Sequence, residues 1–146
     1  MAEKRVADAM TGDPRSVELE TPVAEAAKIL RDEDVGSLPV VRDGRVSGMV
    51  TDRDLAIRVL AEGRDPGTTR VADVVSGDPV TVRPNQDLDE ALRLMARHQV
   101  RRLPVVEDGD RLVGILAQAD VALTGDDERA GEVLEEISRP TEQRHR

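Results

Sequence analysis

The sequence contains an internal duplication, which is visible when residue 71 is aligned with residue 6. The matching segments are Val6-Ala7-Asp8 with Val71-Ala72-Asp73, Gly12-Asp13-Pro14 with Gly77-Asp78-Pro79, Leu38-Pro39-Val40-Val41 with Leu103-Pro104-Val105-Val106, and Asp43-Gly44 with Asp108-Gly109. One inserted residue then shifts the register, so that Gly48 aligns with Gly114. Such self-similarity indicates one supersecondary unit used twice. We predict a first repeat at 1–64, a second at 65–125, and an acidic C-terminal tail at 126–146 that is partly disordered.

Each repeat has the same predicted order of elements, which is strand, helix, strand, strand, helix. An amphipathic helix follows a short strand, and an Asp-Gly turn between apolar runs predicts a β-hairpin. Thr21-Pro22 is predicted to cap the first helix with proline at its first position, and Asp87 with Glu90 to cap its counterpart. The fold class is therefore α/β, of the α+β kind. We expect two βαββα repeats to pack about a pseudo-two-fold axis, because one repeat is too small to be stable alone.

A polar pair lies at a predicted strand-to-helix junction in the stretch Gly-Met-Val-Thr-Asp-Arg-Asp at 48–54. Free backbone N–H groups and the positive end of the helix dipole favour an anionic or polyhydroxyl ligand there. Two interpretations of Thr51 and Asp54 are open: a helix-capping pair, or a site in which Asp54 accepts ribose hydroxyls with Thr51 near a phosphate. The second repeat keeps the aspartate as Asp120 but has Ala117 in place of the threonine, which favours a role for the aspartate beyond capping.

Composition excludes several classes of function. The net charge of −9 argues against a nucleic-acid or anionic-membrane surface, since both favour a basic protein. The chain has no cysteine and only two histidines, which excludes thiol chemistry and argues against a zinc site. It has no Phe, Tyr or Trp, so a bound purine would lie between aliphatic side chains. With no apolar leader and no run long enough to span a bilayer, we expect a cytoplasmic protein.

The repeated segments resemble a tandem pair of CBS domains, the Bateman module, from about Val6 to Leu123. The resemblance rests on the Gly-Asp-Pro turn, the Leu-Pro-Val-Val-x-Asp-Gly hairpins, and the Gly-x-x-Thr-x-x-Asp junction of the first repeat. The stretches at 48–54 and 98–104 are most similar to those of small stand-alone bacterial two-CBS proteins, including the hypoxic-response type.

This resemblance implies that the chain binds an adenosine-containing ligand, of the AMP, ADP, ATP, S-adenosylmethionine or NAD type, in the cleft between the repeats. Asp54 and Asp120 would each hold a ribose diol, and Thr51 would lie near a phosphate. Residues entering the first hairpin strand would face the ligand, and a guanidinium there can bind phosphate oxygens in bidentate fashion. The alternative interpretation of Arg101 and Arg102 is a solvated pair before a strand. The implied ligand-binding residues are Gly36, Ser37, Thr51, Asp54, Arg101, Arg102 and Asp120.

Two functions remain open. One is a non-enzymatic sensor that requires no cofactor, binds an adenine nucleotide as a regulatory ligand and reports to a protein partner. The other is a structural dimer whose ligand sites are vacant, which the missing threonine of the second repeat favours. An enzyme ranks third, because no nucleophile–base or metal constellation is visible. Apolar residues on the outer helices, among them Val59, Leu60 and Leu123, predict a homodimer, with no nucleic-acid or membrane partner.

Overall fold

The structure of the protein is a computed structural model that describes residues 4–124, without the side chains of residues 122–124. The predicted tail at 126–146 lies outside the described residues. The helices and strands are, in order, α1 (Val6–Ala9), β1 (Thr11–Gly12), β2 (Val17–Glu18), α2 (Val23–Glu33), β3 (Ser37–Arg42), β4 (Arg45–Thr51), α3 (Asp52–Leu55), α4 (Leu88–His98), β5 (Arg102–Glu107), β6 (Arg111–Ala117) and α5 (Gln118–Thr124). A π-helical turn (Ala56–Leu60) extends α3, and Val71–Asp73 forms a 3-10 turn. No helix among the described residues is long and apolar enough to cross a membrane.

The predicted mixed α/β fold is confirmed, and the chain divides into two compact units. One, called here the central unit, runs from Arg15 to Pro79. The other, called here the terminal unit, combines residues 4–14 with residues 80–124.

The central unit contains the first predicted hairpin. Strand β2 lies parallel to β3, and β3 pairs with β4 in antiparallel fashion, with Ser37 opposite Thr51. The turn between β3 and β4 has positive φ at both Asp43 and Gly44, as a tight primed turn requires. Its core contains only aliphatic side chains, which are Val17, Val23, Ala26, Leu30, Leu38, Val40, Val50, Val59, Val71 and Val74.

The terminal unit has a corresponding arrangement with three strands, β1, β5 and β6. Val82 bridges to Val105 of β5 in parallel fashion, β5 pairs with β6, and β1 lies against β6 with Thr11 opposite Ile115. Its core also lacks aromatic residues, and consists of Val6, Ala9, Val82, Leu88, Ala91, Leu92, Met95, Leu103, Val105, Leu116 and Val121.

The first segment of each sequence repeat, called here its lead-in (residues 4–14 and 65–79), belongs to the unit that contains the rest of the other repeat. In the central unit the backbone N–H of Val23 donates to Thr69 O, and that of Val71 donates to Thr21 O. In the terminal unit the N–H of Leu88 donates to Lys4 O in the same way. At the N-terminus of each long helix, α2 and α4, one backbone N–H has no partner within the helix. In both cases it donates to a carbonyl in the lead-in of the other sequence repeat. The compact units thus differ in composition from the sequence repeats at 1–64 and 65–125.

The predicted helix caps are wrong. Pro22 occupies the N-cap position rather than the first helical position, and the Thr21 hydroxyl accepts from Glu18 N instead of capping α2. Asp87 is the N-cap residue of α4 but makes no side-chain cap, and its carboxylate pairs with Arg5 at 3.3 Å. At α2 the carbonyls of Thr69 and Pro66 accept from Val23 N and Ala24 N, the N–H groups that a Thr21 cap would have bonded.

The expectation that Val59 contributes to an apolar outer surface is also wrong. Val59 is buried in the central core, because it lies four residues after Leu55, which packs against the same core. The exposed apolar side chains of this helix are Ile57 and Leu60, with 51% and 80% of their surface exposed. The side chain of Leu123 lies outside the described residues.

Candidate functional site

The junction between β4 and α3 places Thr51 and Asp54 in a reciprocal capping box. The Thr51 hydroxyl accepts from Asp54 N at 3.0 Å, and Asp54 Oδ2 accepts from Thr51 N at 2.9 Å. The capping interpretation of this pair is therefore confirmed. Asp54 is nevertheless buried, with 5% of its surface exposed, whereas a carboxylate that only caps a short helix usually stays in water.

Capping leaves both side chains able to bind a ligand. The Thr51 hydroxyl uses a lone pair in the cap, so its proton remains a donor. A carboxylate has about four acceptor positions, of which the cap uses one. Nε of Arg58 lies 4.0 Å from Asp54 Oδ1 and offsets part of the cost of burying this charge. Sequence reasoning missed Arg58, although its spacing of four residues from Asp54 is a readable signal for a helical ion pair.

The first hairpin strand brings the other two predicted residues of this unit to the same junction. Ser37 is the cross-strand neighbour of Thr51, and Gly36 O accepts from Asp52 N at 2.9 Å. A Cβ atom on Gly36 would lie 3.4 Å from Asp52 Oδ2. Gly36, Ser37, Thr51 and Asp54 thus form one cluster at the edge of the central unit, while their binding of a ligand stays a prediction.

The terminal unit assembles the corresponding cluster with different side chains. Arg102 is the cross-strand neighbour of Ala117, and Arg101 O accepts from Gln118 N at 2.9 Å. Asp120 follows in the first turn of α5. The Gln118 side-chain oxygen is buried and lacks a hydrogen-bond partner within residues 4–124. Arg101, Arg102, Gln118 and Asp120 are therefore neighbours along one strand-to-helix junction.

A further side chain reaches this second cluster from the N-terminal segment. The Thr11 hydroxyl lies 3.4 Å from Asp120 Oδ2. Sequence reasoning missed Thr11, because comparison of the two repeats aligns residue 11 with Ser76 and does not show which unit either one joins.

Other candidate sites have structural explanations. No group of three or more His, Cys, Asp or Glu side chains in the part of the chain that is described could hold a metal ion. His98 occupies the last turn of α4. Met95 is fully buried in the terminal core.

Comparison with known proteins agrees with this architecture. The family described as the CBS domain matches residues 6–61 and 71–124, and the chain belongs to this family. The chain is 45% identical over 134 residues to the CBS domain-containing protein YhcV of Bacillus subtilis, covering 91% of this chain and 94% of that one. It is 43% identical over 98 residues to Hypoxic response protein 1 of Mycobacterium tuberculosis, covering 66% and 68% of the two chains. The predicted resemblance is confirmed.

Two similar solved structures contain adenosine compounds. CBSX2 in complex with AMP has a TM-score of 0.72 and 30% identity, covering 82% of this chain and 93% of that one. The CBS domain pair of MJ0100, in complex with 5'-methylthioadenosine and S-adenosyl-L-methionine, has a TM-score of 0.72 and 26% identity, covering 82% and 98%.

Proposed function

We propose that the protein is a non-enzymatic regulatory module that binds an adenosine-containing ligand through Asp54 and Asp120. The main support for this proposal is that Asp54 is buried, while its carboxylate and the Thr51 hydroxyl can each still form a further hydrogen bond. The AMP and S-adenosylmethionine complexes of related structures support the ligand class. YhcV and Hypoxic response protein 1 match over most of their length and carry no enzymatic name, which supports a regulatory role.

In the central unit, Asp54 accepts the ribose hydroxyls and Thr51 donates its proton to a phosphate oxygen. Asp52, also at this junction, adds negative charge beside Gly36. In the terminal unit Ala117 has no hydroxyl to donate, and Arg101 and Arg102 supply positive charge instead. The second cluster is therefore better suited than the first to a phosphate group.

Screening by thermal shift tests the function as a whole. A ligand at 100 times its dissociation constant stabilises the folded state by about 2.7 kcal/mol, which corresponds to roughly 5–10 °C here. We expect such a shift with at least one of AMP, ADP, ATP, S-adenosylmethionine or NAD. The absence of a shift with every adenosine compound would favour the alternative, a structural dimer with vacant sites.

Replacement of Arg102 by alanine is expected to weaken AMP strongly, by about 10-fold or more, and adenosine hardly at all. The reason is that a hydrogen bond to a charged group contributes about 1.5–3 kcal/mol, and only AMP has the phosphate. Because Arg102 is only half-buried, the loss should shrink at high salt. Calorimetric titration with both ligands measures the effect, and Arg111→Ala, an exposed arginine at the other end of the hairpin, is the control. Equal losses for AMP and adenosine would remove Arg102 from the phosphate site.

We also propose that the protein forms a homodimer through the helix that carries Ile57 and Leu60. Both side chains are large, apolar and exposed in the chain described, and burying a leucine side chain contributes about 1.5–3 kcal/mol. Light scattering of the native protein at micromolar concentration should give twice the chain mass of 15.9 kDa. The Leu60→Glu variant should shift the measured mass from that of the dimer toward that of the single chain, 15.9 kDa. A native protein that is already monomeric under these conditions would contradict the proposal.

A further inference from the structure

Thr11 lies at the end of the N-terminal segment, in the strand that pairs with β6. Its hydroxyl lies 3.4 Å from Asp120 Oδ2, although 109 residues separate the two along the chain. The close approach of this strand depends on Gly114, since a Cβ atom there would lie 3.0 Å from Thr11 O and 2.8 Å from Met10 Sδ. The packing of β1 on β6 therefore delivers a hydroxyl to the carboxylate of the second cluster.

We propose that Thr11 is a positioning residue for Asp120. In the central unit the backbone N–H of Thr51 donates to the carboxylate of Asp54, and the Thr51 hydroxyl accepts from Asp54 N. In the terminal unit the hydroxyl of Thr11, on β1, donates to one carboxylate oxygen of Asp120, a side-chain contact of a different kind. This contact restricts rotation of the Asp120 side chain and orients it toward a ribose diol. The inference rests on the proposed function, in which Asp120 binds that diol.

A consequence is that the second cluster depends on the N-terminal segment. Comparison of the repeats shows only that Ala117 stands in place of the threonine, whereas the fold brings the hydroxyl of Thr11, from a different element, to Asp120. Thr11 is exposed, so its replacement by valine removes the hydroxyl with little change in packing volume.

Calorimetric titration with AMP in the Asp54→Ala background isolates the second cluster. In that background Thr11→Val is expected to weaken AMP by about 3-fold, and Thr11→Ser to restore the affinity. Adding Thr11→Val to Asp120→Ala should cause no further loss, because the threonine acts through the aspartate. Ser76→Ala, at the aligned position in the central unit, is the matched control and should leave the affinity unchanged.

The contact can also be measured without ligand. Thr11→Val should lower the melting temperature by about 2–4 °C when Asp120 is present, the shift expected for one lost hydrogen bond, and by less when Asp120 is alanine. If Asp120→Ala weakens AMP but Thr11→Val does not, the positioning role is wrong and the proposed function stands. If Asp120→Ala leaves AMP binding intact, the ribose assignment fails and the inference fails with it.

Discussion

Replacement of Gly48 by alanine is expected to lower the free energy of unfolding by about 3 kcal/mol, at the upper end of the usual cost of overpacking. A Cβ atom at this position would lie 2.4 Å from Ser76 O and 2.6 Å from Val75 Cγ2. The Ser76 carbonyl cannot move away cheaply, since Met49 N donates to it at 3.2 Å and Ser76 N donates to Met49 O. The melting temperature should fall by roughly 6–12 °C, measured by calorimetry or circular dichroism.

Two other glycines are matched controls for this prediction. At Gly114 the nearest atom to an added Cβ is Met10 Sδ, the flexible part of a side chain, at 2.8 Å, with Thr11 O at 3.0 Å. Gly114→Ala should therefore cost less, about 1–2 kcal/mol. At Gly77 nothing lies within 4 Å, so Gly77→Ala should be nearly neutral. Equal stabilities of Gly48→Ala and Gly77→Ala would show that the lead-in segment does not pack against β4 as described.

Replacement of Asp54 by alanine is expected to weaken the adenosine ligand by roughly 10- to 150-fold, the loss that corresponds to about 1.5–3 kcal/mol for a buried hydrogen bond to a charged group. Asp54 is almost fully buried, and Thr51 and Arg58 hold its carboxylate. Asp120 is only half-buried, so water competes for it more effectively. Asp120→Ala should therefore cost less than about 10-fold. Titration calorimetry with the ligand found by thermal shift measures both.

The loss at position 54 must be separated from loss of the helix cap. Asp54→Ala removes an acceptor for Thr51 N and should also cost about 0.5–2 kcal/mol of stability, as lost caps do. Asp54→Asn keeps an oxygen acceptor for that N–H, so it should retain more stability while still weakening the ligand. The titrations should be carried out well below the melting temperature of each variant, so that only folded protein is measured. Equal affinity losses for Asp54→Ala and Asp120→Ala would contradict the asymmetry between the two clusters.

The sequence by itself determined the duplication, the hairpins and the junctions, because each depends on short-range chemistry. An Asp-Gly turn between apolar runs allows positive φ where a hairpin needs it, as at Asp43 and Gly44. The Thr-x-x-Asp spacing is short enough that one helical turn closes the capping box. The first residue of the first hairpin strand, Ser37, then lies beside the junction because antiparallel pairing sets it opposite Thr51.

Only the tertiary structure decided which lead-in segment joins which unit. Both lead-ins have almost the same sequence, so either could dock on either helix by local preference, and the choice depends on packing between residues far apart in the chain. That choice puts Thr11 beside Asp120 and Ser76 against β4, and it gives Val23 N and Ala24 N backbone acceptors in place of the predicted Thr21 cap. It also sets the role of Gly48, which sequence reasoning treated as the start of a motif. Its missing side chain leaves room for the backbone of Ser76, a contact that no periodicity along the chain can show.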